Sequence, residues 1–429
     1  MKLQRFSRSF LALGGAVLPA VLAFACHTTE EPRPGVAKKG TASTADPLPP
    51  PFDAGVVPDA AGLPEGPYAC GAPPVSTAPF TKAALLGATA DCAAYHLCRF
   101  ANAAHVLRTT VDAEAKDGTK ESRALAQLAW QRAMDEWSHS ALFQFGPVAD
   151  KATDKYHGRS LRTLVHAWPD TSRCQVETQV VLKGYQGGFD LVFPSSRGLF
   201  ALEYLLYYPG TDTACSASSQ AGGAWASLVG DAQTKAKRDY AVAAAGDLVA
   251  QADTLRKVWA PDGENFKAKL LAFDGYGNEQ EALNVVAWSM FYVEQEVKDL
   301  KLGSYAGFQT APPNPETAFA RVDIENIRTN LRAFRELYAG CGAAGEGLGF
   351  DDWLVASGNG ALAKELLDLY TQAQAAADAF PPFYQASPQQ FADLYLKIRP
   401  LANLLKTQLF GSGSPLNLKL PASAASDTD

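Results

Sequence analysis

Apolar residues recur along most of this chain at the three- and four-residue intervals of a helix face. In QLAWQRAMDEWSHSALF, Trp130, Met134, Trp137 and Ala141 fall on one side. Leu248, Ala252, Leu255 and Trp259 repeat the pattern before Pro261, which ends the run. Leu283, Val286, Met290, Val293, Val297 and Leu300 form another stripe, and Gly303 stops it. Asp323 is placed to cap a helix carrying Ile324, Ile327, Leu331 and Phe334. Two further stripes run from Leu362 to Phe380 and from Phe391 to Leu405, the last with a kink expected at Pro400. Alternating patterns are scarce; QVVLKG and FDLVF are the best strand candidates, and both are short. Long helices with short joins predict an all-α fold of helical bundles.

One stretch departs from two-sidedness. Residues 197–209, RGLFALEYLLYYP, carry a single acidic group, Glu203, among apolar and aromatic neighbours. A helix apolar nearly all round is a buried helix. A buried carboxylate must be paired, bound to a metal or left protonated. Glu203 therefore has three readings. It is a site carboxylate holding a ligand or hard cation. It is a structural acceptor for Arg197, Trp168 or backbone N–H groups at a domain junction. Or it is exposed. The structural reading is favoured, because surviving buried charges are normally paired.

Before the helices the chain is of another kind. MKLQRFSR is a basic leader, and an apolar run follows that ends in LAFAC. That is an export signal over residues 1–26, with Cys26 in the place of a lipid-modified cysteine. Residues 27–67 are rich in Pro, Ala, Gly and Thr and read as an extended tether, with a reach on the order of 100 Å. Bundles are expected over 68–220 and 221–415, followed by a tail over 416–429. Six cysteines remain after Cys26, an even number in an exported chain, so three disulfides are expected with the pairing open. The Cys92, His96, Cys98 spacing lacks a second ligand pair and reads as disulfide chemistry beside a bystander histidine. A net charge of −7 over 429 residues gives no basic footprint, which excludes nucleic acid as a partner class.

Hydrolase and nucleotide signatures are absent: no His-Glu-x-x-His, no Gly-x-Ser-x-Gly, no phosphate loop. All six histidines lie at or before His166. Beyond that, an ordered set of motifs resembles the imelysin family. LAWQRAMDEWSHSALFQFGP resembles its Trp-rich first helix, and HAWPDTSRC its Trp-Pro-Asp turn. RGLFALEYLLYY falls where the family carries Gly-x-His-x-x-Glu. ALNVVAWSMFYVEQEVKDLKLG and IENIRTNLRAFRELYAG resemble two later helices, and LNLKLPASAASDTD its apolar C-terminal strand and Asp-rich end. The resemblance implies two packed helical-bundle domains with few short strands, the motif near their junction, envelope localisation with a lipid anchor, and a link to bacterial iron uptake.

The motif departs from the family at Gly198-Leu199-Phe200-Ala201-Leu202-Glu203, where Phe200 stands for the histidine. Ala141 stands where the first helix usually carries a glutamate. Phenylalanine cannot ligate a metal. The candidate ligand-binding set is therefore Arg197, Gly198, Phe200, Glu203 and Trp168, with Glu203 the candidate metal ligand and no catalytic residue named. No cofactor is fixed; a divalent metal or iron is the candidate. The expected partners are a membrane through the lipid anchor, and a metal ion or an iron-uptake protein. The leading expectation is a non-catalytic binding protein of the envelope, in the outer membrane or otherwise the periplasm. A metallopeptidase and a structural module with a decayed site are the alternatives. Elsewhere, Glu294 and Lys298 read as an i,i+4 pair on a solvated face, and Asn284 and Asn330 as ties between helices.

Overall fold

Local signals set the helix ends. The Thr81 hydroxyl accepts from the Ala84 N–H at 3.0 Å and starts α1 (Lys82–Asp117). Gly118, at φ 62°, ends it in the left-handed conformation that glycine adopts without strain. Thr119 and Ser122 then cap each other's backbone to open α2 (Lys120–Ser140). The computed structural model describes residues 62–410 and 413–425, all within one compact unit. The export signal, Cys26 and nearly all of the expected tether lie outside them.

The remaining elements are α3 (Leu161–Val165), α4 (Arg173–Leu182), α5 (Gly198–Tyr207), α6 (Gln220–Ser227), α7 (Asp231–Trp259), α8 (Phe266–Leu271) and α9 (Glu279–Trp288). A π-helix follows (Val293–Gly303), then α10 (Asp323–Ala339), α11 (Phe350–Ala356), α12 (Gly360–Asp378), α13 (Pro388–Leu404) and α14 (Ala422–Ala425). The long helices α1, α2 and α7 pack with α5 into a first bundle. The π-helix, α10, α12 and α13 form a second, and α2 against α10 joins the two. Thus α7, which lies beyond the sequence boundary at residue 220, packs with the helices that precede it.

The predicted stripes are the core. Trp130, Met134, Trp137 and Ala141 are buried, as are Leu248, Ala252, Leu255 and Trp259. Each large apolar side chain removed from water contributes about 1.5–3 kcal/mol. Three disulfides staple the structure: Cys70–Cys98, Cys92–Cys341 and Cys174–Cys215. Cys92–Cys341 ties α1 to the turn after α10 across 249 residues of sequence. Bridges of this kind persist in oxidising compartments. No described helix is long and apolar enough to cross a membrane.

Several expectations are corrected. Neither strand candidate is a strand: QVVL closes α4 and Phe189–Leu191 is a 3₁₀ turn. In α4, Val176 and Val180 share a buried face one turn apart, and that packing outweighs their β preference. The apolar segment before α14 likewise forms no strand; among the described residues there is none. Glu294 and Lys298 are 2% and 1% exposed, so their face is not solvated. The stripe holding them winds as a π-helix, which the four-residue arithmetic did not anticipate. Asp323 does not cap its own helix; its carboxylate accepts from the Glu316 and Thr317 N–H groups behind it.

Candidate functional site

Gly198 opens α5 at φ 65°, and a Cβ there would sit 2.1 Å from the Val165 carbonyl oxygen. Only glycine allows the chain to turn this tightly against the end of α3. The helix is then pinned to α2 from both ends. Trp130 Nε1 donates to the Leu199 carbonyl at 2.9 Å. Gln127 Nε2 donates to the Leu206 carbonyl at 2.8 Å, and Tyr207 Oη returns a bond to the Gln127 carbonyl at 2.7 Å. All ten residues of α5 are buried.

Glu203 is fully buried. Its Oε1 accepts from the backbone N–H groups of Phe319 and Ala320, both at 2.8 Å, while Oε2 has no hydrogen-bond partner. These N–H groups belong to the turn before α10, so the carboxyl links the two bundles. Burial pushes its pKa well above the ordinary carboxylate value, and the nearby Asp323 and Glu316 push the same way against the two N–H bonds. Burial thus favours the neutral acid over the carboxylate. Around it stand aromatic groups: the Phe200 ring lies 6.4 Å from that of Phe319, which also meets Tyr204 edge-on at 5.3 Å.

The other predicted residues lie in different settings. Arg197 is committed to Asp247 on α7, with Nε to Oδ2 at 2.7 Å, and to the Phe189 carbonyl at 3.1 Å. It is not the partner of Glu203. Trp168 precedes Pro169 through a cis peptide, is buried, and leaves its indole N–H without an acceptor. Its ring lies 5.9 Å from the Lys301 ammonium. Ala141 is buried at the end of α2.

A buried polar chain runs beside them, of which the sequence singled out only Asn330. Lys301 Nζ donates to Glu316 Oε2 at 2.7 Å and to Asn330 Oδ1 at 2.8 Å. Asn330 Nδ2 donates to the Ser138 carbonyl on α2 at 2.8 Å, and Asn326 Nδ2 to Glu316 Oε2 at 2.8 Å. His166 Nε2 lies 3.6 Å from Glu316 Oε1. Burial alone would raise the Glu316 pKa, but Lys301 and His166 outweigh it and bring it down to about 2. Asn330 thus ties α10 to α2. Asn284 plays a similar part, accepting from the Lys419 N–H at 3.2 Å.

The donor set at Glu203 does not fit a divalent cation. One carboxyl oxygen is held by two N–H groups, the acid favours its neutral form, and Phe200 offers no lone pair. Of the two carboxylates near it, Asp323 is taken by the Glu316 and Thr317 N–H groups and the Thr317 and Tyr384 hydroxyls, and Glu316 Oε2 by Lys301 and Asn326.

The sequence profile of the imelysin family matches residues 93–404. The chain belongs to the imelysin family. Two solved structures have a similar fold. An imelysin-like protein from Psychrobacter arcticum 273-4 superposes with a TM-score of 0.60 at 16% identity, over 80% of this chain and 98% of its own. An iron-regulated protein A precursor from Parabacteroides distasonis ATCC 8503 superposes with a TM-score of 0.53 at 16% identity, over 78% and 98%. No curated protein sequence matches. At this identity the two structures speak for the fold alone. This imelysin-family chain thus has the two-bundle architecture, with Glu203 sealed at the junction between the bundles.

Proposed function

We propose that this imelysin-family protein is a non-catalytic envelope protein, lipid-anchored through Cys26, that serves iron or other metal acquisition without a metal centre at Glu203. The observation that carries the non-catalytic reading is the Glu203 carboxyl itself: fully buried and bonded through one oxygen to two backbone N–H groups, in surroundings that raise its pKa. A metallopeptidase needs an open metal position and a base for the bound water. Here the family histidine position is Phe200, and the acid is occupied as a junction pin. The iron setting follows from the family and from the name of the Parabacteroides relative. The envelope placement follows from the export signal and agrees with the disulfides.

Two measurements test this together. Purified mature protein is assayed for chelator-sensitive cleavage of unfolded polypeptide, and melted with zinc, with ferrous iron and with chelator. We expect no cleavage and no metal-dependent shift that Glu203→Ala abolishes. Cleavage lost in Glu203→Gln with the fold intact, or a metal shift that vanishes in Glu203→Ala, sinks the reading. For the anchor, Cys26→Ala should move the protein from the membrane to the soluble fraction; wild type already soluble contradicts it.

A further inference from the structure

The cleft between α2, α7 and the loop after α5 lies away from Glu203 and plays no part in the reading above. It holds about 90 Å³ and is lined by Arg123, Thr234, Lys237 and Arg238 with Pro209 and Gly210. Arg123 Nη1 and Arg238 Nε both point at one oxygen, Glu114 Oε1, at 3.2 and 3.1 Å. Two guanidiniums thus share one carboxylate. Lys237 Nζ donates to the Gly210 carbonyl at 2.8 Å, and among the described residues no carboxylate lies within ion-pair distance of it.

The nearby acids are already engaged. Glu177 takes bonds from Arg173, Tyr204, Thr213 and the Ala214 N–H. Asp212 takes bonds from Arg173 and Tyr208. Three cations (Arg123, Lys237, Arg238) line the cleft and no carboxylate does, while Asp231 and Asp239 lie in the adjoining groove with Lys235 and Arg238. The positive charge of the cleft is partly removed from water, where an unmatched cation is costly. A bound anion would relieve it, and guanidinium groups suit oxyanions geometrically.

We propose that this cleft binds a small inorganic oxyanion of the phosphate class, held by Arg123, Lys237 and Arg238. Lys237 carries the signature. Burial, then the charges of Arg123 and Arg173, outweigh Glu177 and Asp212 and lower its pKa to about 8. The tyrosines over which its ammonium sits, Tyr204 and Tyr208, are both shifted above their ordinary value and stay neutral there. An anion stabilises the protonated amine, so affinity is full below about pH 8 and falls above it, by up to roughly tenfold per pH unit.

The test is calorimetric titration of the mature protein with sulfate, whose own charge is constant over this range, and with orthophosphate. Wild type should bind one anion, more weakly at pH 9 than at pH 7. Lys237→Met should lose at least tenfold in affinity and its pH dependence. Thr234→Leu, which plugs the cleft at an exposed helical position, should block binding even if Lys237→Met does not fold. Lys235→Met removes an equal charge from the same helix outside the cleft and should leave binding intact. No binding by wild type, binding indifferent to Lys237→Met and Thr234→Leu, or an equal loss in Lys235→Met overturns the proposal.

Discussion

Replacing Glu203 separates the two roles a buried carboxyl can have. Glu203→Ala strands the Phe319 and Ala320 N–H groups, which both donate to it at 2.8 Å. A buried donor left unsatisfied costs about 1–3 kcal/mol, and the vacated space adds to that. The expected loss is about 3–6 kcal/mol, or roughly 6–12 °C in melting temperature at about 2 °C per kcal/mol. Glu203→Gln keeps an acceptor for both N–H groups without the proton equilibrium. The folded pKa of Glu203 lies well above its ordinary value of 4.5. Its contribution is therefore complete below the unfolded pKa and is lost as pH rises through the folded one, at up to about 1.4 kcal/mol per pH unit. Wild type should lose stability relative to Glu203→Gln as pH climbs from about 4.5. Melting curves of the three proteins across that range supply the assay. A Glu203→Gln protein as unstable as Glu203→Ala at every pH, or a gap between wild type and Gln that does not change with pH, would refute a neutral carboxyl.

Glu316→Gln leaves the buried Lys301 ammonium without its carboxylate and should cost about 3–5 kcal/mol by chemical denaturation. Gly198→Ala drives a Cβ onto the Val165 carbonyl oxygen at 2.1 Å and should lower both yield and melting temperature far more than an exposed Gly→Ala change. Opening Cys92–Cys341 by a double alanine substitution should cost about 5 kcal/mol on loop entropy, more than opening the short Cys70–Cys98 loop; calorimetry ranks them. Phe200→His should destabilise without creating a zinc-dependent melting shift, because Glu203 Oε1 is already held by two N–H groups and burial disfavours its charged form.

The helices were legible because their stripes are periodic: Trp130 to Ala141 and Leu248 to Trp259 needed only spacing. The burial of Glu203 was legible from its apolar neighbours. Backbone N–H groups were among its expected partners, but not which ones, because Phe319 and Ala320, 116 and 117 residues away, leave no mark in side-chain chemistry. Arg197 looked like a local partner, but Asp247 claims it from another helix. Glu294 and Lys298 were misread because four-residue spacing assumes α winding. Lys301 and Glu316 became a pair only when the loop before α10 folded back onto the π-helix. Val180, in the QVVLKG strand candidate, shows the opposite error, a local β preference overruled by a helical face.

The long Cys92–Cys341 bridge also changes how the molecule carries force. If the N-terminal end is fixed to a membrane and the C-terminal region is pulled, tension entering α1 crosses at Cys92 directly to Cys341. The span between them, residues 93–340, including Glu203 and the sealed junction, hangs as a closed loop outside the load path. A single protease cut inside that loop would likewise release no fragment until the bridge is reduced.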